Sequence, residues 1–271
     1  MAVVLFTKMQ ATGNDFVMID NRNKIIADND YAGLAQCISN RKFGVGSDGL
    51  ILLEESAEKK LVMIYKNPDG SDAGMCGNGA RCFVKFAQSL GYPNDIKFKV
   101  HDKEYRGVLK GEQVTVYFPL RTKVLPTSIN GENIYQVYTN TEHIVCPVKP
   151  VILGDEKMLT VKGRELRNHK SFSPIGTNVN FMSGLSTDSV ELQTYERGVE
   201  DLTLACGTGA IATALAWHHQ NNGKEGEQVM TVEVKGGTLT VSFTFEQTTS
   251  EYHKISLAGP ASIVFEGTYY Y

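Results

Sequence analysis

The chain has 271 residues, of which 42% are apolar and 21% charged, and a formal net charge of −3. That length suits two ordinary domains with a sizeable core, and the slightly acidic balance leaves no basic footprint for nucleic acid. No apolar run approaches the roughly 20 residues of a membrane span, and an odd count of five cysteines does not suit a secreted disulfide framework.

Met1–Lys8 has too few apolar residues for a signal-peptide core and no cationic leader, so a reducing cytoplasm is expected. Val3–Lys8 reads as a strand, and the polar turn Ala11–Asp15 leads to a buried strand at Phe16–Asp20. Leu34, Cys37 and Ile38 recur at helical spacing, which places Cys37 in the core. Gly44, Gly46 and Gly49 have the spacing of a dinucleotide fingerprint. That motif needs a strand before it and a helix after it; here the helix comes first and the strand Leu50–Leu53 second, so a tight turn is expected. Leu61–Tyr65 is the next strand. Asn67–Gly74 is a turn whose acidic residues lack calcium-loop spacing, and a helix runs from Gly77 to Leu90.

Short alternating strands with glycine turns fill Ile96–Pro119, and further extended segments follow. Pro126, Ser128 and Gly131 break the pattern, which sets a boundary between domains 1–127 and 128–271. The second half predicts a helix over Val161–His169, a strand over Ser189–Tyr195 and a helix over Gly207–Gln220. Strands follow at Val229–Val234, Thr238–Phe245, Tyr252–Leu257 and Ser262–Phe265, the last free to return to the first domain. Cys82 and Cys146 are expected as core thiols, His101, His169 and His253 at the surface, and His218 and His219 as helix-end residues.

One stretch occurs twice. Met75-Cys76-Gly77-Asn78-Gly79-Ala80 is matched by Ala205-Cys206-Gly207-Thr208-Gly209-Ala210, and each opens an apolar helical run. Asn14 precedes Cys76 by 62 residues and Thr141 precedes Cys206 by 65, so Thr12–Phe16 and Thr139–His143 are equivalent loops in a duplicated chain with pseudo-twofold symmetry. Each thiol sits at a helix N-terminus, where backbone N–H groups without helical acceptors favour a thiolate and hold a carboxylate.

Two such thiols suit removal of a proton from one face of an amino-acid Cα and delivery of another to the opposite face. Backbone N–H groups of Gly77, Asn78, Gly207 and Thr208 would stabilise the charged carboxylate, replacing the electron sink that pyridoxal phosphate otherwise provides; no cofactor and no metal is expected. Asn14, Asn67, Asn78 and Asn178 offer neutral amides, Arg197 suits a carboxylate and Glu196 an ammonium. Asn180 reads as a turn former.

The motifs Thr12–Phe16, Phe43–Gly49, Asn67–Ser71, Met75–Cys82, Thr177–Phe181, Glu196–Gly198 and Ala205–Gly209 span nearly the whole chain, and in this order they resemble the diaminopimelate epimerase family. The resemblance implies two similar α+β domains, each a curled, mostly antiparallel sheet around a central helix, with the active site in the cleft between them. It implies interconversion of LL- and meso-diaminopimelate for lysine and peptidoglycan synthesis, with Cys76 and Cys206 as base and acid and His143 and Glu196 in support. Asn14, Asn67, Gly77, Asn78, Asn178, Glu196, Arg197, Gly207 and Thr208 match substrate-contacting positions. Phe265 matches an aromatic dimer contact, so a homodimer is implied, with neither nucleic acid nor membrane as partner. Gln10-Ala11 and Thr141-Glu142 depart from the family pattern, and the second departure weakens one expected side-chain contact beside His143.

Two other readings compete. A racemase of proline, hydroxyproline or histidine would use the same thiols but leave Glu196 and Arg197 without a distal ligand. A redox switch or an anion-binding module would use the thiols or the helix ends without isomerisation.

Overall fold

Thr12 and Gly13, both at positive φ (50° and 86°), close a hairpin between β1 (Val3–Ala11) and β2 (Asn14–Asp20), the backbone that a two-residue turn between twisted strands requires. The computed structural model describes residues 3–271; Met1 and Ala2, where the expected leaderless start begins, lie outside the described residues. From β2, α1 (Tyr31–Ile38) crosses to β3 (Gly49–Glu55), parallel to β2, and β4 (Leu61–Lys66) returns antiparallel. Then α2 (Gly77–Ser89) crosses to β5 (Asp95–Val100), parallel to β4, and β6 (Lys103–Lys110) and β7 (Gln113–Tyr117) complete a meander.

The second half repeats this order. A hairpin of β8 (Val124–Ile129) and β9 (Glu132–Tyr138) leads to β10 (Glu142–Pro147), antiparallel to β9. The short α3 (Pro150–Leu153) and α4 (Glu156–Arg167) cross to β11 (Asn178–Gly184), parallel to β10; β12 (Ser189–Glu196) returns antiparallel, with the short β13 (Asp201–Thr203) on its edge. Finally α5 (Gly207–Gln220) crosses to β14 (Gly226–Val234), parallel to β12, and β15 (Gly237–Glu246) and β16 (Glu251–Pro260) form the meander. The last strand, β17 (Ser262–Tyr270), pairs antiparallel with β1.

Two compact units result, Met1–Tyr117 with Gly259–Tyr271, and Phe118–Ala258. The division therefore falls earlier than the expected 127/128. Leu125–Asn130 is no linker: Pro126 and Ser128 lie within β8, and Asn130-Gly131, both at positive φ, is the β8–β9 turn. In the first unit the sheet wraps α2, which packs on β1, β2, β3, β6 and β7; in the second the strands from β8 to β12, with β14 and β15, surround α5. Among the described residues no helix is long and apolar enough to cross a membrane.

The inner strands are buried on both faces, and their period of two decides which side chain meets which helix. Val17, Ile19, Leu50 and Leu52 form one cluster with Leu34, Ala35 and Ile38 of α1, while Ile51 faces α2, its Cδ1 beside Gly79. In the second unit Ile144, Cys146, Val179, Phe181 and Tyr195 cluster with Leu159 and Leu166 of α4. The alternate residues His143, Asn180 and Thr194 then turn toward α5. Cys82 and Cys146 are buried as expected, but Cys37 is exposed. The buried arc of α1 is Tyr31, Leu34, Ala35 and Ile38, and Cys37 lies on the other side of that short helix.

Candidate active site

In the first unit Cys76 is the N-cap of α2. Its backbone is extended (φ −110°, ψ 119°), its carbonyl accepts from Ala80 N–H (2.8 Å), and its sulfur accepts from Gly79 N–H (3.4 Å). The thiol donates to Asn14 Oδ1 at 3.8 Å. Asn14 Oδ1 also accepts from Asn78 Nδ2 (3.1 Å), and Asn14 Nδ2 donates to Asp48 Oδ2 (2.7 Å). Beneath them Arg81, fully buried, donates to Asn78 Oδ1 and Thr12 Oγ1 (3.0 Å each) and to the carbonyls of Gly77 and Pro260 (3.4 Å each). Burial lowers this guanidinium to about 10, still charged at neutrality, and pushes the neighbouring Cys82 thiol well up. Cys82 therefore stays protonated, a core residue.

Asp15 anchors the loop behind Asn14. Lys8 Nζ reaches it at 2.6 Å and Arg41 Nη2 at 2.7 Å, and Arg41 also bridges to Asp48. Burial alone would raise the Asp15 carboxyl, but hydrogen bonds from Arg41 and Lys8 outweigh it and hold the group at about 2. The segment Gly44–Gly49 is a turn between helix and strand, as expected: Gly46 N–H donates to Ile38 O (3.0 Å) and Lys8 Nζ to Gly46 O. Asn67 turns into its own loop, Nδ2 donating to Ser71 Oγ (3.0 Å).

In the second unit Cys206 is the N-cap of α5 (φ −122°, ψ 112°), its carbonyl accepting from Ala210 N–H (2.8 Å). Its sulfur lies 3.6 Å from Thr208 Oγ1, which is 3.0 Å from His143 Nε2. His143 Nδ1 accepts from Asn180 Nδ2 (3.0 Å), and that amide also donates to Ile144 O (2.9 Å) while its Oδ1 accepts from Thr194 Oγ1 (2.9 Å). Burial first, and the charge of Arg197 second, lower His143 to about 3, so the ring is neutral near neutral pH. A second chain of bonds runs along the strand ends: Asn178 Nδ2 donates to Glu142 O (2.9 Å), Arg197 N–H to Asn178 Oδ1 (2.9 Å) and Arg197 Nη2 to Thr141 Oγ1 (2.8 Å). Glu196 ends β12, and both it and Arg197 are half-buried rather than a solvated pair.

A family model described as diaminopimelate epimerase matches residues 6–113 and 135–264. The chain belongs to the diaminopimelate epimerase family. It is 38% identical to the diaminopimelate epimerase of Flavobacterium psychrophilum over 96% of this chain and 98% of that one, and 37% identical to that of Aquifex aeolicus over 97% and 96%. The fold is shared more widely. A phenazine biosynthesis protein of the PhzF family from Bacillus anthracis superposes with a TM-score of 0.77 at 13% identity, covering all of both chains. A hydroxyproline epimerase from Agrobacterium vitis gives 0.71 at 13% identity, covering 98% of this chain and 92% of that one.

Within this family member the structure gathers Asn14, Cys76, Gly77 and Asn78 in one unit, and His143, Cys206, Gly207 and Thr208 in the other, with Asn178 and Arg197 on the second chain of bonds. Sequence reasoning missed Asn180, which is no turn former but a fully buried residue inside β11. Its signal was present: an amide between Val179 and Phe181 in a strand buried on both faces must find partners. Arg81 was missed too, although a cation flanked by Ala80 and Cys82, five residues after Cys76, raises the same question. His218 is buried rather than merely at a helix end, bonding Tyr252 Oη and Lys224 O (3.1 Å each), and His101 reaches Ala73 O (3.1 Å). A groove of about 370 Å³ lined by Pro126, Tyr135 and His219 lies at the opposite end of α5 from Cys206. Among the described residues no cluster of three or more histidine, cysteine or carboxylate groups is arranged to hold a metal ion.

Proposed function

We infer that this chain is an isomerase that interconverts LL- and meso-diaminopimelate with two cysteines and no electron-sink cofactor. One thiolate takes the Cα proton, and the other thiol returns a proton to the opposite face. The helix-opening N–H groups of Gly77-Asn78 and Gly207-Thr208 hold the carboxylate as charge develops on it. Arg197 and Glu196 bind the distal carboxylate and ammonium, with Asn14, Asn67 and Asn178 lining the substrate and His143 supporting the chemistry through Thr208. One observation supports this most: in each unit a cysteine occupies the N-cap position of the equivalent helix, and each sulfur touches a polar network that reaches into the core.

The test is incubation with LL-diaminopimelate in deuterated water, followed by NMR at Cα. Isotope uptake with inversion is expected, and Cys76→Ala and Cys206→Ala should each slow it by about 10²–10⁴-fold or more. Normal turnover by either variant would sink the two-thiol reading. A cytoplasmic location goes with this function. We also read β17, with exposed Ile263, Val264 and Phe265, as a contact between two copies of the chain. Phe265→Ser should then sediment as a monomer and the parent as a dimer; a monomeric parent removes that reading.

A further inference from the structure

The amides of Asn14 and Asn78 lie in a row of hydrogen bonds whose two ends are charged and opposite in kind. Arg81, fully buried, can only donate, and its Nη2 gives N–H bonds to Asn78 Oδ1 and Thr12 Oγ1 (3.0 Å each). Asn78 therefore turns Nδ2 toward Asn14 Oδ1 (3.1 Å). Asn14 in turn gives Nδ2 to the Asp48 carboxylate (2.7 Å), which only accepts. Every bond in the row Arg81, Asn78, Asn14, Asp48 thus points the same way.

Both ends are anchored. Asp48 also accepts from Asp15 N–H (3.1 Å) and from Arg41 Nη2 (2.7 Å), and Arg81 also reaches the carbonyls of Gly77 and Pro260 (3.4 Å each). None of the four Arg81 acceptors is charged, so among the described residues this guanidinium is buried without an ion pair, an arrangement that costs stability. The fold does not ask for it: the matching position of α5, five residues after its cysteine, is Ile211, equally buried. What the cation supplies is direction. The oxygen and the NH₂ of an amide have nearly the same shape, and packing alone does not tell them apart. A group that only donates does.

We propose that Arg81 and Asp48 are positioning residues that fix which atoms Asn14 and Asn78 present at the mouth of α2. The row borders Cys76, whose sulfur lies 3.8 Å from Asn14 Oδ1. In the proposed reaction Asn14 lines the substrate, and the N–H groups of Gly77-Asn78 hold its carboxylate. Reversing an amide puts a carbonyl oxygen where an N–H stood, so an acceptor on the substrate meets repulsion instead of a bond. Either charged end sets the direction alone. With both removed the row can run backwards.

The proposal rests on the epimerase reading for its kinetic test but not for its structural one. Neutron diffraction from the wild-type protein separates nitrogen from oxygen, and it must place Nδ2 of Asn78 against Asn14 and Nδ2 of Asn14 against Asp48. Either amide reversed overturns the proposal. Kinetically, Arg81→Gln and Asp48→Asn each replace a one-way end by an amide that can both give and accept. Each alone should lower kcat/KM for isotope exchange at Cα by about threefold, and the two together by about 10²-fold, well beyond the product of the single losses. Arg81→Lys restores an end that only donates, so combined with Asp48→Asn it should recover about tenfold over the Gln and Asn pair. Single losses that merely multiply, or a lysine no better than glutamine, overturn the proposal. Should the variants not fold, the neutron map decides. Amides placed as stated in a wild-type protein that exchanges no isotope would sink the epimerase reading alone; reversed amides in an active enzyme would sink only this one.

Discussion

Phe16, Ile51 and Tyr65 in the first unit occupy the registers that His143, Asn180 and Thr194 occupy in the second. Phe16 pairs Gly49 and Ile51 pairs Tyr65, just as His143 pairs Asn178 and Asn180 pairs Thr194. The layer between sheet and central helix is thus apolar in one unit, with Phe16 and Tyr65 edge to face at 5.8 Å, and hydrogen-bonded in the other. One backbone plan accepts both because the polar version is satisfied: Asn180 has partners for Oδ1 and for both amide protons. The first unit draws its polar network instead from loops and helix, through Asn14, Asp48, Asn78 and Arg81. Duplicated halves therefore reach their cysteines by different routes, one through an amide oxygen and the other through a hydroxyl.

The largest consequence is expected in acid. His143 sits at about 3 in the folded chain, against an ordinary value of 6.5. A base with a depressed folded value lets the unfolded state take up the proton first, so stability falls as pH drops from about 6.5 toward 3, by up to about 1.4 kcal/mol per pH unit. Burial lowers His218 as well, which adds in the same direction. In the first unit Asp15 is held at about 2 against 3.8. Its contribution, about 2 kcal/mol, is fully present above the unfolded value and is lost only as pH falls through the folded one. Hydrogen exchange at graded pH should show β10 and β11 losing protection while β1 and β2 still hold theirs. Simultaneous loss, or earlier loss in β1 and β2, would break the contrast.

A smaller effect sharpens it. A Cβ on Gly209 would lie 2.4 Å from Asn180 Oδ1 and 3.1 Å from Thr194 Oγ1, atoms tied to each other. On Gly79 it would meet Ile51 Cδ1 at 2.9 Å and Met63 Cε at 3.3 Å, the ends of side chains that can turn aside. Gly209→Ala should cost about 1–3 kcal/mol and Gly79→Ala less than about 1 kcal/mol, read from urea midpoints. Equal costs would mean that the two layers yield alike.

Much of this was legible in the sequence. The repeated cysteine motif gave both central helices, because glycine-rich entry followed by an apolar run leaves few alternatives, and α5 spans the expected Gly207–Gln220. What the sequence hid were relations across distance. Asn180 meets His143 from 37 residues away, so its neighbours alone suggested a turn. Cys37 fitted a helical period but missed the buried arc of an eight-residue helix by one position. Pro126 looked like a domain boundary because a proline within a strand is read as a break, yet β8 accommodates it opposite Tyr135. Asn14 and Asn78 were nameable from motif and type, but the direction of their hydrogen bonds became visible only with Asp48 and Arg81 in place.

The return of β17 to β1 also sets an order of assembly. The second unit is one uninterrupted stretch, so a growing chain has supplied every one of its strands by Ala258 and it can fold as it leaves the ribosome. The first unit, although synthesised first, must keep the edge of β1 waiting until the last strand arrives to cover it.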